Sequence, residues 1–185
     1  MSLRIHITGA SGSGTSTLAR ALASRLESQA FDTDDFYWRP TEPAFQEKRP
    51  IAERLDLMGQ MFLPRSDWVL SGSLHTWGGP IMARVTHVVF LTVAPGVRLA
   101  RLRVRERRRY GARIAAGGDL EAHYRGFLDW AMSYDDPGTA GRSRAEHEAW
   151  LDTLKQPIIR LDADAPPSAL AQAVTDALDE AAPAA

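Results

Sequence analysis

Leu3, Ile5 and Ile7 alternate with polar neighbours over residues 3–9 and predict a strand that runs straight into a glycine-rich turn. Leu18, Leu22 and Leu26 follow at helical spacing, so residues 15–28 read as a helix. A short strand is expected to end near Phe31–Thr33. Residues 34–50 carry Pro40, Pro43 and Pro50 among Phe36, Tyr37, Trp38 and Phe45, which predicts a structured loop. Ile51, Leu55, Met58 and Phe62 mark a second helix. The apolar runs DWVLSGS (67–73) and THVVFLTV (86–93) have the character of buried strands. A long arginine-rich helix starts after Pro95, and Gly117 and Gly118 separate it from another around 119–134. Ser143 with Glu146 three residues on forms a capping-box pattern for a further helix. PIIRLD (157–162) reads as a fifth strand. Leu170, Val174, Ala177 and Leu178 give the last helix an apolar stripe, and the terminal APAA reads as a frayed tail.

Five strands alternating with helices predict an α/β fold, a parallel sheet covered on both faces and joined by right-handed crossovers. In such sheets ligands bind beyond the carboxyl ends of the strands. With 185 residues, no internal repeat and no linker, one domain over 1–185 is expected.

Composition narrows the chemistry. Hydrophobic residues at 44% and charged ones at 24% suit a soluble globular chain, and a net charge of −1 gives no global attraction to nucleic acid or membrane. The absence of cysteine excludes disulfides and thiolate chemistry. The histidines at 6, 75, 87, 123 and 147 lack zinc-site spacing. The N-terminal residues have no basic leader before an apolar run, and no stretch approaches ~18 apolar residues. The expectation is therefore a cytoplasmic protein without a signal peptide or membrane contact.

Gly9, Gly14 and Ser16 hold three of the four defined positions of the phosphate-binding loop G-x-x-x-x-G-K-[ST]; the fourth, a lysine, is Thr15 here. A strand precedes this stretch and a helix follows it. Small residues from Ser11 to Gly14 let main-chain N–H groups close around an anion, and the helix N-terminus adds unpaired donors and partial positive charge. Gly9, Ser11, Gly12, Ser13, Gly14, Thr15, Ser16 and Thr17 are the expected nucleotide-binding residues. Ser16 stands where a hydroxyl coordinates magnesium. The alternative is a tight turn in which Thr15, Ser16 or Thr17 caps the helix. Thr15 cannot reach the β- and γ-phosphates as an ammonium would, so a cation has to come from another segment. The chain has only the lysines Lys48 and Lys155 and many arginines, so compositional drift would have put arginine at position 15, not threonine.

Asp32, Asp34 and Asp35 fall within four residues at a strand end, a spacing that calls for a cation or a proton. The competing reading is an acidic turn capping a short helix. Arg98, Arg101, Arg103, Arg105, Arg107, Arg108, Arg109 and Arg113 crowd one stretch with the single acid Glu106, and no clean amphipathic stripe emerges there. A solvated helix, a phosphate-clamping lid and a nucleic-acid contact all fit such a run. Tyr124, Phe127, Ala131 and Tyr134 are spaced for packing, and Phe36, Tyr37 and Trp38 for either core or an acceptor pocket. Arg142 and Arg144 stand beside the capping box, where they could reach phosphates.

GASGSGTST, DTDDFYW (32–38) and RVRERRRYG (103–111) resemble, in order, the phosphate loop, the acidic segment after strand two and the arginine-bearing lid start of P-loop small-molecule kinases of the adenylate-kinase and shikimate-kinase-like group. GGDLEAHYRGFLDWAMSYD and GRSRAEHEAWL are similar to bacterial adenylate-kinase-like chains of that group. Two departures stand out: the missing loop lysine, and the absence of an acid in WVLSGS. The resemblance implies a three-layer P-loop NTPase fold, with a five-stranded parallel sheet, a helical lid around 103–142 and an acceptor side around 34–66. It implies Asp34 as the base for the acceptor, Asp32 with Ser16 at magnesium, and Arg105, Arg108 or Arg109 as the cation that neutralises the transferring group.

The expected activity is ATP- and Mg2+-dependent phosphoryl transfer, with ATP or another NTP as donor and a small hydroxyl- or phosphate-bearing acceptor, a nucleotide among the candidates. A nucleotide-binding sensor without efficient transfer and a nucleic-acid module using the arginine helix are the alternatives, with nucleic acid the less expected partner. The sequence sets no oligomeric state.

Overall fold

In the computed structural model, which describes residues 2–136, 138 and 142–180, five strands form one parallel sheet. They are β1 (Arg4–Gly9), β2 (Ala30–Asp32), β3 (Trp68–Ser71), β4 (His87–Thr92) and β5 (Ile158–Asp162), in the order β2-β3-β1-β4-β5. The registers carry the site. Asp32 lies opposite Ser71, so β2 and β3 end together, and Ser71 lies opposite Ile7, two residues before the end of β1. β1 is buried from Ile5 onward and β3 throughout, which is why both lack an exposed polar face.

The described residues form two compact units. The first holds the residues up to Gly9, Thr15–Leu91 and those from Lys155 onward, including the sheet; the second holds Ala10–Gly14 and Thr92–Leu154.

In the first unit, α1 (Thr15–Arg25) buries Leu18, Ala19, Leu22 and Ala23 against β1 and β3 and packs beside α8 (Pro167–Glu180). Helix α8 buries Leu170, Ala171, Val174 and Leu178, close to the expected stripe. The expected loop over 34–50 begins instead as a short helix, α2 (Thr33–Tyr37). Asp32 is its N-cap, accepting from the Asp34 N–H at 3.1 Å. The capping reading of the acidic cluster is thus realised by Asp32. The chain then turns back on itself, pairing Trp38 with Lys48. Helix α3 (Ile51–Met61) corrects the expected stripe: Ile51 is 49% exposed, while Arg54 and Met58 are buried. Phe62, just beyond α3, stacks on Phe31 at 4.4 Å and meets Trp68 edge-on at 5.2 Å and Phe36 at 5.6 Å. Such pairs contribute about 0.5–1.5 kcal/mol each beyond burial. Phe36 therefore belongs to the core. A one-turn helix, α4 (Gly79–Met82), was not anticipated.

In the second unit, α5 (Pro95–Tyr110) is followed by a 3-10 turn (Gly111–Ile114), α6 (Glu121–Met132), a second 3-10 turn (Ser133–Asp135) and α7 (Arg144–Asp152). Ser143 caps α7, accepting from the Glu146 N–H at 3.2 Å. Helix α5 does have a stripe, at four-residue spacing: Arg98, Leu102 and Glu106 are buried. Pattern reading missed it because two of its three members are charged. Arg98 donates to the Ala131 carbonyl at 3.1 Å and to Asp135, and lies 5.1 Å from the Tyr134 ring. Of the stripe expected for packing, Ala131 on α6 and Tyr134 in the turn after it are buried, whereas Tyr124 and Phe127 are half-buried. The terminal APAA, residues 182–185, lies outside the described residues.

Candidate nucleotide and acceptor site

In the first unit, three side chains converge where the strands end. Ser16, on the first turn of α1, donates its hydroxyl to Asp32 Oδ2 at 2.5 Å. Ser71, the last residue of β3, donates to the same oxygen at 3.0 Å. The sequence lacks an acid in β3, and the structure gives that place to a hydroxyl that orients the acid of β2. The parallel register made this pairing, and a comparison of strand ends is the signal that could have found it.

Main-chain geometry holds the arrangement. Gly72 follows Ser71 with φ +111°, and a Cβ there would stand 1.8 Å from the Thr33 hydroxyl oxygen. Only glycine lets β3 end so close to α2. Thr33 Oγ1 in turn accepts from the Ser73 N–H at 3.2 Å.

Asp34 and Asp35 open α2 one turn from Tyr37, and both are exposed. Crowding by surrounding protein pushes the Asp35 carboxyl above the ordinary carboxylate value, and the Asp32 charge adds to the shift.

The hydroxyl of Ser16 and one oxygen of Asp32 are a donor set that suits magnesium, which takes one or two protein oxygens and fills its octahedron with phosphate oxygens and water. Among the described residues no group of three or more histidine, aspartate or glutamate side chains could hold a metal ion, so a self-contained protein cage is not formed there. Thr15, Ser16 and Thr17 also bring the first-turn N–H groups of α1, which have no partner within the helix.

In the second unit, the loop Ala10–Gly14 is tightly turned. The Ser13 N–H donates to the Ala10 carbonyl at 3.0 Å, and Gly12 and Gly14 take φ +84° and +99°. A Cβ on Gly12 would meet the Arg98 carbonyl oxygen at 2.8 Å. The Ser13 side chain is buried, and its hydroxyl has no hydrogen-bond partner among the described residues. Ser11 is half-buried. Arg101 reaches this loop: Nη1 donates to the Ser13 carbonyl at 3.3 Å and stands 3.8 Å from the Cβ position of Gly14.

The arginines singled out from the sequence sit differently. Arg105 pairs with Glu106 at 2.7 Å and lies 5.6 Å from the Phe127 ring, Arg109 is 3.6 Å from Glu106, and Arg108 is exposed. Arg144 pairs with Asp135 at 3.7 Å. Arg101 was hidden in a run of identical residues. Helical spacing was its only signal, since it lies next to the buried Leu102.

Burial raises the Tyr134 phenol to about 12, and its hydroxyl shares a hydrogen bond of 2.8 Å with His147 Nδ1. Among the described residues no helix is long and apolar enough to cross a membrane.

No protein-family model matches the chain. Solved structures share its fold: a gluconokinase from Sinorhizobium meliloti 1021 has a TM-score of 0.53 at 16% identity, covering 97% of this chain and 93% of that one. A shikimate kinase from Bacteroides thetaiotaomicron has a TM-score of 0.54 at 18% identity, covering 96% and 98%. A sugar kinase from Janibacter sp. HTCC2649 has a TM-score of 0.54 at 16% identity, covering 98% and 96%. These likenesses show the fold alone, an α/β fold with a five-stranded parallel sheet flanked by helices. The uncharacterized protein YqaC of Bacillus subtilis (strain 168) is 42% identical over 164 residues, covering 89% of this chain and 90% of the other. The chain belongs to the family of YqaC.

Proposed function

We propose that the protein is a phosphotransferase that uses ATP, or another nucleoside triphosphate, with magnesium to phosphorylate a small acceptor bearing a hydroxyl or a phosphate. The observation that carries this reading is the convergence of Ser16 and Ser71 on one oxygen of Asp32, beside the opening turn of α1. The cap of α2 uses the other oxygen of Asp32, Oδ1.

Bound magnesium would neutralise charge on the phosphate oxygens, and Ser16 and Asp32 are the residues that would hold it. Residues Gly9 to Thr17 cradle the triphosphate through main-chain N–H groups at the strand-to-helix turn. Asp34 takes the proton of the acceptor hydroxyl from its exposed place on the opening turn of α2. Arg101 replaces the charge lost at Thr15, because it is the arginine whose guanidinium already lies against Ser13 and Gly14. Arg105, Arg108 and Arg109 are the lid cations of the same reading.

The absence of a lysine at position 15 favours a second reading, a sensor that binds nucleotide without transferring its phosphoryl group. Single-turnover release of labelled γ-phosphate with a panel of small acceptors separates the two. Acceptor-stimulated transfer supports the kinase. Magnesium-dependent binding with no transfer to any acceptor supports the sensor.

A further inference from the structure

The second unit concentrates positive charge on one helix. Helix α5 carries seven arginines, no lysine and the single acid Glu106, which is buried. The whole chain is net −1, so the remainder of it is acidic. Arg101, Arg103, Arg105, Arg107, Arg108 and Arg109 are all exposed. Arg105 and Arg109 share Glu106, whereas Arg103, Arg107 and Arg108 pair with no carboxylate among the described residues.

Aromatic rings lie beside this helix. Arg98 bonds to the Ala131 carbonyl, and Arg105 lies 5.6 Å from the Phe127 ring, so α6 runs antiparallel to α5. Arg101, Arg105 and Arg108 stand at i, i+4 and i+7, and so do His123, Phe127 and Trp130. That spacing puts each trio on one side of its helix, and the contact of Arg105 with Phe127 joins the two sides into one face. Trp130 is 44% exposed, and its ring lies 5.9 Å from that of Phe127 with a tilt of 33°. The neighbouring acid Asp129 is about 100° round the helix from Trp130 and projects away from this face.

Guanidinium groups grip phosphate oxygens in pairs, and aromatic rings stack on bases whatever their identity. An acidic protein segment would use the arginines and leave the rings in water. A polynucleotide uses both. We propose that this face of α5 and α6 binds a single-stranded nucleic acid, with its phosphates on Arg101, Arg105 and Arg108 and two bases on Phe127 and Trp130. A single strand offers free base faces, which a duplex keeps stacked inside. The site stands on α5 and α6 alone and does not rest on the phosphotransferase reading.

The test follows a short fluorescein-labelled oligouridylate by anisotropy as it binds the full chain, over a series of sodium chloride concentrations. Affinity should fall as salt rises. Arg108→Gln should lessen the slope of log affinity against log salt by about 0.7, the share of one phosphate contact. Trp130→Ala should weaken binding at least about fivefold at fixed salt with that slope unchanged, and Trp130→Phe should retain most of the affinity. Wild-type protein that does not bind, or Trp130→Ala that binds as tightly as wild type, overturns the proposal. So does equal competition by a duplex of the same length, by polyglutamate or by phosphatidylserine vesicles, since charge alone is then recognised. Displacement of the oligonucleotide by ATP with magnesium would assign the face to a mononucleotide and overturn it as well. Failure of ATP to bind, with oligonucleotide binding intact, overturns the nucleotide reading alone.

Discussion

The Ser16 hydroxyl donates to Asp32 at 2.5 Å across sixteen residues of sequence, and that bond joins the first turn of α1 to the end of β2. If the pair holds magnesium, Asp32→Asn removes the charge while keeping the shape. In wild type, nucleotide at 100 times its dissociation constant should add about 2.7 kcal/mol of stability with magnesium present. Asp32→Asn should lose the magnesium-dependent part of that gain and reduce turnover about 10²-fold. Thermal unfolding with ATP, with and without magnesium, reads the first effect. An unaltered magnesium response would remove Asp32 from the metal.

Arg101 lies against Ser13 and Gly14. Arg101→Met should lower turnover by about 10²–10³-fold, the usual effect of removing one charge-stabilising group, with nucleotide affinity changed only a few-fold. Adding Thr15→Lys to that variant should recover part of the lost rate, since the ammonium then rises from the loop itself. Steady-state and single-turnover rates check this. Full activity in Arg101→Met would send the search back to Arg105, Arg108 and Arg109, whose alanine variants are the comparison set.

Arg98 ties α5 to the carbonyl of Ala131 and to Asp135. Arg98→Met retains most of the buried volume but leaves that carbonyl and Asp135 without the guanidinium. It should cost about 3 kcal/mol, seen as a lower urea midpoint. Val104→Ala, on the exposed side of the same helix, should change stability by less than about 0.5 kcal/mol. Equal effects would mean that the buried stripe of α5 is wrongly placed.

Gly72→Ala forces a Cβ toward Thr33 Oγ1 at a φ of +111°. The expected loss is at least about 2 kcal/mol, combining backbone strain with steric overlap. Thr33→Ala in the same chain should return some of it, because the nearest atom is then gone. A double-mutant cycle measured by denaturant unfolding gives the coupling directly.

Burial holds the His87 imidazole below its ordinary value of 6.5. The folded chain therefore binds fewer protons than the unfolded chain between these two values. Stability that is full above about 6.5 should decline as the pH falls from there toward the folded value. His87→Gln should flatten this acid slope. Urea midpoints taken from about pH 7.5 down to about pH 5 check the sign.

The alternation of strand and helix, the glycine-rich turn after β1 and the Ser143 cap were legible in the sequence because each is local. Hydrophobic period, glycine spacing and capping residues act within a few positions of one another. Ser16 and Asp32 could also be named, since both stand at strand or helix ends marked by their own neighbours. Tertiary structure decided the rest. It made Asp32 a helix cap as well as a partner of Ser16, and gave Ser71 its role through the register of two parallel strands. It brought Arg101 out of a run of identical arginines by placing Leu102 inward. It put Arg54 on the buried face of α3, where composition would have put it in water. Sequence determines what each segment can bury or donate. Which distant group receives that donation depends on strand order and helix rotation, and these are set only when the whole core packs.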